Sequence, residues 1–168
     1  MTWEQFRALR LLTIGTFPYI TIWRTVRGLE VPHPSTPPEP IVADAVEATY
    51  LANDLASLQK DLRDGTDEAP VTSNFVLLHH RHSGDLRSSV GAAAARYNRV
   101  VENLDRAGGE LAHLLRCMVE GGIDAHVNQV ETVYPGAADA RRGLHRTTPR
   151  TRRRHQRPLS HGSSSQAE

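Results

Sequence analysis

Apolar positions in this chain concentrate in one long regular block, preceded by shorter ones. From Leu86 onward, Val90, Tyr97, Leu104, Leu111 and Met118 occupy one heptad position, and Leu86, Ala93, Val100, Ala107 and Leu114 occupy the other. Apolar residues are 39% of the sequence, so ten matches in ten would arise about once in ten thousand trials per frame, or on the order of once in a hundred over all starting points. Residues 86–120 are therefore predicted to be helical, starting after Asp85. Ala94, Val101 and Leu115 widen the stripe beyond a two-stranded seam, towards the face of a bundle helix. Leu86, Val90, Tyr97, Val100, Leu104, Leu111, Leu114 and Met118 form the expected interaction face, with homo-oligomerisation as one use of it. Gly108-Gly109 interrupts the pattern at roughly 1 kcal/mol per glycine relative to alanine, which predicts either one weakened helix or two helices in line. Gly121-Gly122 is expected to end it.

A second helix is predicted over 41–63. Pro40 suits a first helical position, and Ile41, Ala48, Leu51, Leu55, Leu58 and Leu62 share one stripe at three- and four-residue spacing. Asp64-Gly65 supplies a stop, and 64–74 reads as a loop with Thr72, Ser73 and Asn74 as candidate caps. Phe75–Leu78 fits strand or helix equally well, and Ser83-Gly84 breaks it. Residues 128–134 read as a short strand or a last turn. Because 41–63 and 86–107 are nearly equal in length, they are expected to pair. Glu47, Asp54 and Asp61, seven residues apart, are placed to face Arg96. The expected fold class is all-α: a small helical bundle built on an antiparallel helical hairpin, with a flexible N-terminal arm and a disordered C-terminal tail.

The flanks differ from this core. Residues 1–31 hold Trp3, Phe6, Phe17, Tyr19 and Trp23 with Arg7, Arg10, Arg24 and Arg27 among them. The uncharged run 11–23, broken by Gly15 and Pro18, is too short to cross a bilayer, which takes about 20 residues. No A-x-A cleavage pattern follows it. This arm is expected to fold back over the bundle, to meet a partner, or, alternatively, to attach peripherally to a membrane surface. Five prolines in 32–40 read as a linker, 41–134 as the helical domain, and 141–168 as a tail without apolar periodicity.

Charge follows the same division. The net charge of +1 conceals an acidic body over 41–140, with eight basic and fifteen acidic side chains, and a basic tail with eight arginines against Glu168. Arg141, Arg142, Arg146, Arg150, Arg152, Arg153, Arg154 and Arg157 are candidates for sequence-independent contact with nucleic-acid phosphates. No aromatic lies among them to stack on bases. Nineteen of the twenty basic residues are arginine, a bias also produced by GC-rich coding.

Site chemistry is sparse. His79 and His82, with His113 and Cys117, could supply four tetrahedral zinc ligands, but the spacing matches no standard finger, and solvated histidines are the simpler expectation. No G-x-S-x-G, phosphate-cradling loop or H-E-x-x-H is present. No cofactor is expected, and the chain reads as non-enzymatic. One cysteine excludes an intrachain disulfide, which fits a cytoplasmic setting. The function expected from the sequence is a helical interaction or oligomerisation protein whose Arg-rich tail binds nucleic acid, with peripheral membrane attachment through 1–31 as the alternative.

Overall fold

The computed structural model of the chain describes residues 1–66 and 72–128. They form six helices: α1 (Trp3–Thr13), α2 (Thr16–Val26), α3 (Pro40–Asp64), α4 (Phe75–Ser83), α5 (Leu86–Ala107) and α6 (Gly109–Asn128). Among the described residues there is no strand, so the fold is all-α and bundle-like.

Local chemistry accounts for the boundaries. Thr2 and Gln5 form a reciprocal capping box at the start of α1, with the Gln5 amide donating to Thr2 Oγ1 at 3.3 Å and the Thr2 amide donating to Gln5 Oε1 at 2.9 Å. Pro40 opens α3. The Asn74 side chain accepts from the amides of Val76 at 2.9 Å and Leu77 at 3.3 Å, and this cap resolves the ambiguous run after it as helix. Asp85 starts α5 in the same way, accepting from the Arg87 amide at 2.9 Å.

α3 is the central element and packs against each of the other five helices. One apolar stripe would suffice for a hairpin arm. α3 instead buries Val42, Ala45, Val46, Tyr50, Leu51 and Leu55 on several faces, as a helix enclosed by neighbours must. Leu62, expected in the stripe, is exposed near the end of the helix. The segment expected to be a flexible arm supplies part of the enclosure. Phe6 of α1 is fully buried and meets Tyr50 edge-on with ring centroids 6.0 Å apart. Thus 1–31 contributes to the same core as 41–123. The proline segment is tied in as well, Arg24 donating to Glu39 at 2.7 Å.

The two glycines expected to weaken the long segment divide it. Gly108 has φ 64° and ψ 179°, and Gly109 has φ 80°; a side chain is strained at either. The helices that result are not in line, because α6 returns beside α5 and brings Arg116 to 3.3 Å from Asp105. The break also resets the register. In α5 the expected face holds, with Ala93, Tyr97, Val100 and Leu104 buried. In α6 the buried positions are Ala112, Leu115, Val119 and Ile123, while Leu111, Leu114 and Met118 are only half-buried. Gly121-Gly122 does not end the helix, which runs on to Asn128. Burial of Val119 and Ile123 on either side outweighs the helix-propensity cost of two glycines. The proposed strand or turn after Asn128 lies outside the described residues.

Two glycine substitutions should act with opposite sign. Gly108→Ala is expected to destabilise the fold by about 1–3 kcal/mol through its positive φ. Gly121→Ala, exposed and inside α6 with open space around its Cα, should stabilise by up to about 1 kcal/mol. Urea denaturation of both variants checks this, and midpoints moving in the same direction would rule out the break described.

Candidate functional site

The chemistry of this fold gathers where α1, α4 and α5 meet the acidic side chains of α3. Glu47 and Asp54 are each 1% exposed. A buried carboxylate needs a counter-charge or donors, and each of these is met from more than one helix. Glu47 accepts from Arg7 Nε of α1 at 2.8 Å and from Arg96 Nε of α5. Asp54 accepts from Arg10 of α1 at 2.5 Å and from the Phe75 amide at the start of α4 at 2.8 Å. Two turns further on, Asp61 Oδ2 accepts from Asn74 Nδ2 at 2.8 Å and from Ser57 Oγ at 2.7 Å. Asn74 Nδ2 also donates to the Asp54 carbonyl at 2.8 Å. Of the three acids expected to face Arg96, only Glu47 is recorded in an ion pair with it. The other two hold the α4 cap, and one of them also holds α1.

Above this seam Arg96 lies over the Trp3 ring, 4.4 Å from its centroid, and Arg10 lies 5.6 Å from the centroid of the Tyr50 ring. Arg10 Nε and the Tyr50 hydroxyl are buried without a hydrogen-bond partner among the described residues. Burial pushes the Tyr50 and Tyr97 phenols up. Burial also pushes Asp54 up to about 7, against the opposing pull of Arg10 and the Phe75 amide. A buried acid titrating near neutrality is one mark of a catalytic group. Asp54, however, lines neither the cavity beside α4 and α5 nor the groove beside α2. The arrangement joins α1, α3 and α4.

The histidines do not converge. His79 and His82 border a cavity against α5. His113 and Cys117 lie on α6, 3.8 Å apart, with Cys117 exposed. Among the described residues no three His, Cys, Asp or Glu side chains assemble as metal ligands, so the four-ligand arrangement suggested by the sequence is not formed. Of the expected interaction face, Tyr97, Val100 and Leu104 are buried within the single chain, Leu86, Val90, Leu111 and Met118 pack partly against the same core, and Leu114 is half-buried. The tail arginines Arg141, Arg142, Arg146, Arg150, Arg152, Arg153, Arg154 and Arg157 lie outside the described residues.

A surface that periodicity in the sequence did not single out is carried by α2. Its inward positions, four residues apart, are Thr16, Ile20 and Arg24, all buried. Its outward positions are Tyr19, Ile22, Trp23 and Val26, which with Leu12 of α1 are between 48% and 79% exposed. The helix is therefore largely inverted: two of its three buried residues are polar, Phe17 packs only partly against the core, and an apolar stripe lies outside. The arginines around it are already engaged: Arg7 with Glu47, Arg10 with Asp54, Arg24 with Glu39 and Arg27 with Glu110 at 2.7 Å. None of the helices among the described residues is long and apolar enough to cross a membrane. The chain matches no protein-family model, no curated protein and no solved structure.

The Asp54 environment makes stability depend on pH. With its pKa raised from 3.8 to about 7, the folded chain holds a proton in that window that the unfolded chain has lost. Stability therefore falls as pH rises through the window, by roughly 4 kcal/mol in all, and none of that penalty is present below it. The urea midpoint should drop between pH 5 and pH 8, and Asp54→Asn, although destabilised overall by its unpaired Arg10, should show a smaller drop. An equal drop in both proteins would remove Asp54 as its source.

Proposed function

We propose that this protein is a non-enzymatic helical interaction module that self-associates through the outward stripe of α2. The observation that carries this reading is the inversion of that helix. Tyr19, Ile22, Trp23 and Val26 recur at three- and four-residue spacing, the pattern that lets one helix pack against another, yet they face away from the core that would ordinarily cover them. Contiguous exposed apolar area of this kind marks contact surfaces. A second copy of the chain offers the same stripe, and a two-fold axis pairs it with itself.

The scaffold beneath the stripe is an antiparallel hairpin of α3 and α5. Two contacts support this reading: Asn103 donates to Asp44 at 3.0 Å, and Arg96 pairs with Glu47, so the order of partners reverses between the two helices. The sequence placed oligomerisation on the heptad face, but the heptad side chains are largely used inside the chain, which leaves α2 as the surface for it. Membrane attachment is the weaker alternative. Binding to anionic headgroups draws on free cations beside the apolar stripe, and all four arginines of 1–31 are ion-paired. The Arg-rich tail adds a second activity, sequence-independent contact with nucleic acid, supported by its separation in charge from an acidic body.

Light scattering tests the first part. The mass should rise from 18.6 kDa towards twice that value with concentration, and the double variant Ile22→Ser, Trp23→Ser should stay monomeric while keeping its helical circular dichroism. A wild-type chain that stays monomeric at all concentrations defeats the proposal, and flotation of that monomer with phosphatidylglycerol vesicles would favour the membrane alternative. For the tail, a mobility shift of duplex DNA should weaken steeply with added salt and disappear on deletion of 141–168. A shift that survives the deletion would reject that assignment.

A further inference from the structure

We propose that the open cleft lined by α1, α4 and α5 binds a small molecule with one carboxylate and an apolar body. The cavity has a volume of about 420 Å³, within the range of roughly 300–1,000 Å³ typical of small-ligand sites. Phe75, Leu78 and Ala92 give it apolar walls, and Trp3 of α1 adds an aromatic one. Trp3 and Phe75 meet edge-on with centroids 5.0 Å apart, and Phe75 and His79 lie 5.9 Å apart, so the apolar part is a packed aromatic surface.

Its polar lining is of one character. Arg96, Arg99, His79 and His82 border the cavity, and no carboxylate does. Glu47 is shared by Arg7 and Arg96, and Asp44 on the same helix also acts on Arg7. Arg99 is exposed and has no ion-pair partner among the described residues. Arg99, with no acid of its own, and the edge of Arg96 not used by Glu47 border an apolar cleft lined by no carboxylate, which suits an anionic carboxylate that a guanidinium can hold by charge-assisted hydrogen bonds.

Two of these groups are held in place before any ligand arrives. Arg96 is fixed by its bond to Glu47 and by the Trp3 ring beneath its guanidinium. The Ser89 hydroxyl donates its one proton to the Asp85 carbonyl at 2.8 Å and so accepts from His79 Nδ1 at 2.9 Å. The His79 ring is thereby held in a fixed orientation at the border of the cavity. Preorganisation of this kind lowers the ordering cost of binding.

Isothermal titration of the full chain with octanoate, and with octanol as its neutral counterpart, tests the proposal. Octanoate should bind at one site per chain, about tenfold or more tighter than octanol. Arg99→Ala, at an exposed position, should weaken octanoate by about fivefold and leave octanol unchanged. Ala95→Trp, which fills the cavity from an exposed position, should abolish both. The α2 double variant Ile22→Ser, Trp23→Ser should bind both as the wild type does, and a loss there would place the site on the α2 stripe and overturn the assignment. So would equal affinities for the two probes, insensitivity to Arg99→Ala or Ala95→Trp, or no saturable octanoate binding at millimolar concentration.

Discussion

Two carboxylates set deep in a central helix impose the constraint that organises this protein. Glu47 and Asp54 lie two turns apart on α3, and leaving either buried without a partner would cost several kcal/mol. Their partners come from three other elements: Arg7 and Arg10 on α1, the first amide of α4, and Arg96 on α5. The requirement to satisfy two charges therefore fixes how three helices sit around a fourth. Apolar burial around α3 supplies the driving force, but it tolerates sliding and rotation. The ion pairs do not, because a helix rotated by one residue would leave a charge unpaired. Ion pairs of this kind add little net stability over an apolar substitute, and their contribution here is to the geometry.

The same constraint links the core to both surfaces of interest. Glu47 holds the arginine that stacks on Trp3 and borders the cavity, so the cavity's rim is an extension of the buried seam. On the other side of α1, engagement of every arginine in the first 31 residues leaves the outward stripe of α2 without cations of its own. A segment that looks basic and aromatic in sequence is thus electrostatically spent in the fold. What α2 presents to its surroundings is apolar area.

Much of the scaffold is legible in the sequence, because it obeys rules that act over a few residues. Asp85, Pro40 and Gly84 mark helix ends by their own local chemistry, and the heptad spacing of α5 locates Ala93, Tyr97, Val100 and Leu104 in the core. Legibility fails where a buried face is not apolar. α1 turns Phe6 and Arg10 inward and α2 turns Thr16, Ile20 and Arg24 inward, so a search for apolar periodicity finds no core-facing stripe in either. It fails again where register is carried across a break: the positive φ of Gly108 and Gly109 rotates the face of α6 by one position, from Leu114 to Leu115 and from Met118 to Val119. The seven-residue spacing of Glu47, Asp54 and Asp61 did point to the seam. That Arg10 would complete it could not be read without knowing that α1 lies on α3.

The pairing of α1 with α3 also bears on the order in which the molecule can assemble. Arg7 with Glu47, Arg10 with Asp54 and Arg24 with Glu39 all have both members within the first 54 residues of the chain. As a protein is made from its N-terminus, segments gain partners in the order in which they emerge. Those three pairs can form while α5 and α6 are still to be synthesised, whereas Arg96 reaches Glu47 and Glu110 reaches Arg27 only afterwards. The apolar flank of α3 has to wait, because Tyr97, Leu104, Leu115 and Val119 arrive at least 40 residues later along the chain than Leu55. Three of the fold's ion pairs are thus local to the first half of the chain, whereas much of the apolar contact that drives folding joins its two halves.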